Sequence, residues 1–203
     1  MLHVNPFSEI ATSIPPVFMQ AFVIIMILSV IISTLLDMAH KKNAKYFFIN
    51  LKKLKIAANR KISTSKKTSI IVKTVASDIM TTSELGVGQR RIAHLLGMYG
   101  SIMFWITSFI MIFFYSSPSI ITPDFLPILW HLGALMTCLG GYWFWLFLRV
   151  VVSAEGHSWS RIIRADLFVL SLVTASTFAL IWSYLQYSGL DILSSLFLIL
   201  FVL

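Results

Sequence analysis

The stretch Val17–Leu36, VFMQAFVIIMILSVIISTLL, decides the fold class of this chain because it holds no charged residue. A helix needs about 20 apolar residues to cross the hydrocarbon core of a bilayer. Pro15 and Pro16 precede the stretch and Asp37 closes it, so its length matches one membrane span. No Lys or Arg precedes it, whereas a cleaved signal peptide begins with a basic segment. We therefore interpret it as a first transmembrane helix.

Further apolar stretches follow this span. Three are long enough to cross a bilayer, namely Ile92–Tyr115, Phe125–Leu148 and Leu167–Tyr187. A last one, Ile192–Leu203, has 12 residues and is too short to span alone. The chain has 203 residues, 58% hydrophobic and 12% charged, which excludes a soluble domain of this size. The sequence predicts an all-α integral membrane bundle, a single domain over residues 1–203, with four full transmembrane helices and a short or truncated fifth.

Basic residues are confined to two segments between the spans. Of the 16 Lys and Arg residues, 13 lie between residues 41 and 91. The other three are Arg149, Arg161 and Arg164. Loops rich in Lys and Arg stay on the cytoplasmic side of a membrane. The expected topology, in the cytoplasmic membrane, therefore has both basic loops inside and the N-terminus outside.

The basic loop at residues 38–91 is long enough to have structure of its own. Amphipathic helices are predicted around residues 47–55 and 71–79, separated by a break at Ser63-Thr64-Ser65. Three interpretations of the loop stay open: contact with anionic membrane lipid, docking of an acidic cytoplasmic partner, and nucleic-acid binding. We expect no nucleic acid, because lysines beside a membrane span already have an electrostatic cause.

Few residues could carry chemistry. Cys138 is the only cysteine, which excludes a disulfide framework, a zinc knuckle and a cysteine-ligated iron–sulfur cluster within this chain. No nucleophile–base pair, phosphate loop or carboxylate cluster is recognisable. No catalytic residue is predicted.

Two histidines lie at membrane depth, where ionisable residues are costly and mark candidate functional sites. His94 lies one turn inside the second span, and Gly97 on its face leaves room for a flat macrocycle. His131 lies about two turns inside the third span. Each histidine is interpreted either as an axial haem ligand or as a hydrogen-bonding partner of a neighbouring helix. A strip of small residues on nearly the opposite face from His131 suits close helix packing: Gly133, Thr137 and Gly140.

His94 and His131 cannot share one haem. The rise per residue and the core thickness place them about 18 Å apart along the membrane normal. Two axial nitrogens on one iron lie about 4 Å apart. Each would need another partner, which could be His40 or His157 on the inner side. The outer side offers only His3, on a terminus that we expect to be mobile.

Other residues receive simpler interpretations. Asp166 opens the fourth span close to Arg161 and Arg164, which predicts a local ion pair. Aromatic residues near the span ends are interpreted as interfacial belts. They are Trp130, Trp143, Trp145, Trp159, Trp182 and Tyr184.

Three stretches of the chain are similar to a known family. The first is Arg90-Arg91-Ile92-Ala93-His94-Leu95-Leu96-Gly97-Met98-Tyr99-Gly100, and the second runs from Asn50 to Glu84. The third comprises residues 127–131, Gly140-Gly141, Arg149, Gly156 and residues 164–168. Together they resemble membrane cytochrome b subunits of the nitrate reductase gamma type. The resemblance extends to membrane subunits of heterodisulfide reductases and of the quinone-interacting membrane-bound oxidoreductase.

The resemblance implies a five-helix bundle that binds b-type haem. Such a subunit passes electrons between membrane quinone and cytoplasmic iron–sulfur or flavoprotein subunits and is not a stand-alone enzyme. His94 would be an inner-side haem ligand and His131 an outer-side one. The family's fifth helix supplies further histidines, but residues 191–196 read DILSSL here. The alternative is a non-redox membrane anchor that holds a cytoplasmic assembly through its basic loop.

Overall fold

Helices form all the regular structure in the described part of the chain. The structure, a computed structural model, describes residues 2–57, 63–86, 88–149, 156, 158, 160–164 and 166–202. In chain order the α-helices are α1 (Pro6–Ile10), α2 (Pro16–His40), α3 (Asn43–Ala57), α4 (Thr64–Thr74), α5 (Gln89–Phe114), α6 (Phe125–Trp143), α7 (Asp166–Tyr187) and α8 (Asp191–Val202). Single π-helical turns continue α4 over Val75–Met80 and α6 over Phe144–Leu148.

The predicted fold class is confirmed. Four of these helices are long and apolar enough to cross a membrane: α2, α5, α6 with its π-helical turn, and α7. The predicted first span ends at Leu36, whereas α2 continues for another turn to His40. An ion pair between Lys41 and Asp37, 2.8 Å apart at i,i+4 spacing, lies at this last turn. The predicted short fifth element is α8, with 12 residues.

The chain divides into two compact units. One is Val17–Met80, and the other combines Met1–Pro16 with Thr81–Leu203. The sequence analysis predicted a single domain over residues 1–203. Whether the two units assemble into one domain stays a prediction.

The unit Val17–Met80 contains nearly all of α2 together with α3 and α4. In the most apolar part of α2, 6% of the residues are buried. Such a surface suits contact with lipid, because a bilayer solvates apolar side chains all round a helix. Ser63, within the predicted break, is the N-cap of α4, and its hydroxyl accepts a hydrogen bond from the backbone N–H of Lys66. The first predicted loop helix corresponds to α3, and the second, around residues 71–79, lies across the end of α4 and its π-helical turn.

The second unit is a bundle in which α6 is the central helix. In its span, 56% of the residues are buried, against 28% in α5 and in α7. The backbones of α5 and α6 lie in direct contact. A Cβ atom on Gly140 would lie 2.5 Å from the backbone nitrogen of Gly97, and one on Gly133 would lie 2.7 Å from that of Phe104. The predicted strip of small residues is therefore the packing surface of α6 against α5.

This contact leads to a prediction about two neighbouring glycines. We expect Gly140→Ala to lower the free energy of unfolding by about 1–3 kcal/mol, because the added methyl group must push two helix backbones apart. Gly97→Ala is the matched control, since a Cβ there meets nothing within 4 Å. It should be neutral or slightly stabilising, as alanine is the better helix former. Thermal unfolding in detergent measures both, and equal melting temperatures would contradict the close packing.

Candidate functional site

His131 is enclosed between α6 and α7. Its Nδ1 lies 2.7 Å from the carbonyl oxygen of Pro127, and its Nε2 lies 2.8 Å from Oγ of Ser183. Because a carbonyl oxygen can only accept, Nδ1 carries the hydrogen of the neutral ring and Nε2 accepts from the Ser183 hydroxyl. His131 is 4% exposed. Both ring nitrogens are therefore used inside the protein.

The side chain of the neighbouring residue, Trp130, contacts α5 rather than α7 through its indole nitrogen. Its Nε1 donates a hydrogen bond of 2.8 Å to Oγ of Ser108 on α5. Trp130 and Trp182 are almost completely buried, and their ring centroids are 6.3 Å apart. The interpretation of these two residues as interfacial belt residues is wrong, because their indole rings fill the core of the bundle.

The N-terminal segment covers this aromatic core. Phe7 of α1 packs edge-on against Trp130 and Trp182, with ring centroids 5.8 and 5.5 Å away. Asn5 is buried, and its Nδ2 donates a hydrogen bond of 2.9 Å to the carbonyl oxygen of Tyr115 at the end of α5. Residues at the start of the chain thus complete the bundle.

The mobility of the terminus that carries His3 stays a prediction, but from Asn5 onward the N-terminal segment is packed on the bundle. The sequence signal that could have shown this is Asn5-Pro6, since Asn is a favoured N-cap and Pro a favoured first helical residue. The Asn5 side chain does cap α1, accepting from the backbone N–H of Phe7 at 3.0 Å. His3 remains exposed, with its Nδ1 3.6 Å from the Asp124 carboxylate.

His94 has surroundings of the opposite kind. It is exposed on α5, and its ring forms no hydrogen bond with any residue that the structure describes. Gly97, one turn further along the same face, has open space where a Cβ would lie. An accessible imidazole beside a bare stretch of helix fits the requirements of an axial haem ligand.

His131 does not fit that role as it is placed, because neither ring nitrogen is available to an iron. His40 is exposed at the end of α2, in the other compact unit, and His157 lies outside the described residues. Within the described ranges, no three His, Cys, Asp or Glu side chains form a group that could hold a metal ion.

A buried ion pair closes the opposite end of α6 from His131. Arg149 follows the π-helical turn, and its guanidinium pairs with the carboxylate of Asp166 at the start of α7. Arg149 also donates a hydrogen bond to the carbonyl oxygen of Arg161 and lies 3.8 Å above the ring of Trp145. The prediction of a local ion pair for Asp166 is wrong in its partner: Asp166 forms an ion pair, but with Arg149. Sequence reasoning missed Arg149 because it lies 17 positions away.

Another polar contact joins α6 and α7 between these two ends. Oγ1 of Thr177 lies 2.9 Å from the Tyr142 hydroxyl and 3.4 Å from Sγ of Cys138. The single cysteine thus has a packing role in this interface. Polar side chains connect α7 to α6 at three levels along the helix axis.

No family model, curated protein or solved structure significantly matches the chain. Support for a function therefore comes from the chain's own residues and contacts.

The hydrogen bond between His131 and Ser183 can be tested by a double-mutant cycle. We expect His131→Leu and Ser183→Ala each to destabilise the bundle, because each leaves one buried polar group without its partner. The coupling energy should be about 1 kcal/mol, typical of hydrogen bonds between membrane helices. Ser171→Ala is the control, since Ser171 is exposed on the same helix. Strictly additive effects in unfolding measurements would show that the two side chains do not interact.

The buried ion pair leads to a separate prediction. Asp166→Asn should lower the free energy of unfolding by about 3–5 kcal/mol, because it removes the carboxylate that pairs with the buried Arg149 guanidinium. Asp191→Asn is the matched control, as Asp191 also opens a helix but is exposed. The double variant Arg149→Met/Asp166→Leu should recover much of the loss. A similar melting temperature for Asp166→Asn and Asp191→Asn would contradict a structural ion pair.

Proposed function

We propose that the chain is the membrane subunit of a quinone-linked oxidoreductase complex and that His94 is an axial ligand of b-type haem. The observation that carries the proposal is the placement of His94. It is an exposed imidazole near the end of a membrane helix, with no hydrogen-bond partner in the described part of the chain. A polar group at the edge of the hydrocarbon layer is costly unless it is paired. An iron ligated by His94 supplies such a partner.

The residues around His94 suit this role. Gly97 leaves the helix surface open to a flat group, and the exposed cation of Arg90 lies one turn before His94. A guanidinium pairs well with carboxylates, which b-type haem carries. Bound haem supplies one-electron transfer, and the chain holds and orients it. His40 and His157 stay the candidates for the second axial position.

The electron donors and acceptors of such a subunit lie outside this chain, because its single cysteine cannot ligate an iron–sulfur cluster. The family resemblance implies that they are membrane quinone and cytoplasmic iron–sulfur or flavoprotein subunits. In this proposal the complex resides in the cytoplasmic membrane, with the N-terminus outside and the basic segments inside. The protein's own task is to fix the haem edge close to the cytoplasmic subunits.

A non-redox membrane anchor is the second candidate. The observation that favours it is His131, whose two ring nitrogens are both in hydrogen bonds within the protein. If His94 is solvated at the membrane surface in the same ordinary way, neither histidine binds a cofactor. The chain then holds a cytoplasmic assembly through the exposed basic helices α3 and α4.

His94→Ala separates the two candidates. In the purified complex we expect this variant to lose the haem bound by His94, while insertion into the membrane is unchanged because hydropathy and Lys/Arg distribution stay the same. His3→Ala is the control, as it removes another exposed imidazole. Reduced-minus-oxidised spectra and haem extraction measure the occupancy.

Haem occupancy in His94→Ala and in the unmodified complex distinguishes the haem subunit from the plain anchor. Full haem occupancy in His94→Ala contradicts the ligand role, and absence of reducible b-type absorbance from the unmodified complex supports the plain anchor. His157→Ala should behave as His94→Ala does if His157 is the second ligand. It should leave the spectrum unchanged if His157 is a surface residue.

A further inference from the structure

Helix α3 starts where a membrane helix ends. The residues between α2 and α3 are Lys41 and Lys42, and Lys42 adopts a left-handed backbone conformation with φ of 54°. Such a short connection spans only about 10 Å even when extended. The first turn of α3 is therefore held at the membrane surface next to the last turn of α2.

One side of α3 carries an apolar strip. Phe47, Leu51 and Leu54 recur there at the spacing of neighbours on a helix face. Phe47 is 63% exposed and Leu54 is 69% exposed, whereas Leu51 is half-buried. Large apolar side chains that remain this accessible in a folded structure mark a surface that binds something. Since α2 holds this surface at the edge of the bilayer, membrane lipid is always within reach.

The charges around this face select the kind of lipid. Residues 41–57 contain six lysines and no Asp or Glu. At 100° per residue, Lys55 lies beside the apolar face, whereas Lys52 and Lys53 lie about 130° from its centre, one on each side. Lysines in this position extend their ammonium groups into the headgroup layer while their stems cover apolar surface. Lysines without neighbouring acidic residues attract anionic headgroups.

We infer that α3 lies in the headgroup layer and binds anionic phospholipid through Lys52, Lys53 and Lys55, with Phe47, Leu51 and Leu54 inserted below them. Lipid is favoured over an acidic protein because the apolar face and the lysines both lie where the membrane helix ends. This inference is independent of the haem proposal, because it uses residues of the unit Val17–Met80 only. It assigns α3 a ligand class, namely phospholipids with a net negative headgroup.

Two positions on α3 allow a matched test in the chain of 203 residues. Leu54 and Ile56 are both exposed aliphatic residues, but they lie on opposite sides of the helix, about 200° apart. Each is replaced by Cys in a Cys138→Ser background, which keeps a hydroxyl near Thr177, and is labelled with an environment-sensitive fluorophore. The protein is placed in nanodiscs of phosphatidylcholine alone or of phosphatidylcholine with phosphatidylglycerol. Quenching by iodide then reports the exposure of each label to water.

Iodide quenching should differ between the two labelled positions and between the two lipid compositions. In nanodiscs with phosphatidylglycerol, iodide quenching at position 54 should fall severalfold relative to phosphatidylcholine alone, whereas quenching at position 56 should change little. High salt should reverse the protection, because it screens the lysines. Replacing Lys52, Lys53 and Lys55 by Gln should also reverse it. The same number of Lys→Gln changes at Lys66, Lys67 and Lys73 on α4 should not.

Three results would overturn the inference. Equal quenching at positions 54 and 56 in anionic nanodiscs would show that the apolar face does not enter the lipid. Protection of position 54 that is the same in both lipids and in high salt would show that the lysines recognise no anionic headgroup. Protection found in native membranes but absent from anionic nanodiscs would identify an acidic protein as the partner.

Discussion

The second unit depends on the backbone contact between α5 and α6. Glycine at positions 100, 133 and 140 removes the Cβ atoms that would keep the two helices apart. At this short distance a side chain on one helix reaches the next, so the Trp130 indole can bond Ser108. Inside a membrane, where apolar surface gains little from association, such packing and hydrogen bonds are what hold helices together. The aromatic core and the N-terminal segment that covers it are built on this contact.

The two membrane histidines show how neighbours decide the role of one residue type. His131 lies between a backbone carbonyl and a serine hydroxyl, so its ring serves the packing of α6 on α7. His94 is exposed beside an open glycine, and its ring has no hydrogen-bond partner among the described residues. Of the two histidines, only His94 therefore has a ring nitrogen that is accessible to a haem iron in the proposed function. It also leaves a structural explanation for His131 that holds under either candidate function.

Charged residues divide into two groups with different physics. Arg149 and Asp166 are both buried and form an ion pair, so removal of either charge should destabilise the bundle. The lysines of α3 are exposed and carry no such cost, and their effect depends on salt and on what lies beside them. The first group therefore concerns folding, and the second concerns the membrane surface and its partners.

The sequence by itself determined the helical class, the four spans and the small-residue packing strip, because length, hydropathy and helical spacing are local properties. It also marked both loop helices and the presence of an ion pair at Asp166. Only the tertiary structure decided which side chains meet. The partner of His131 is 52 positions away, and the rings around Phe7 come from α6 and α7. Their positions near the span ends predicted Trp130 and Trp182 to be interfacial residues, but the packing of the helices buries them. No local sequence pattern encodes contacts between residues so far apart in the chain.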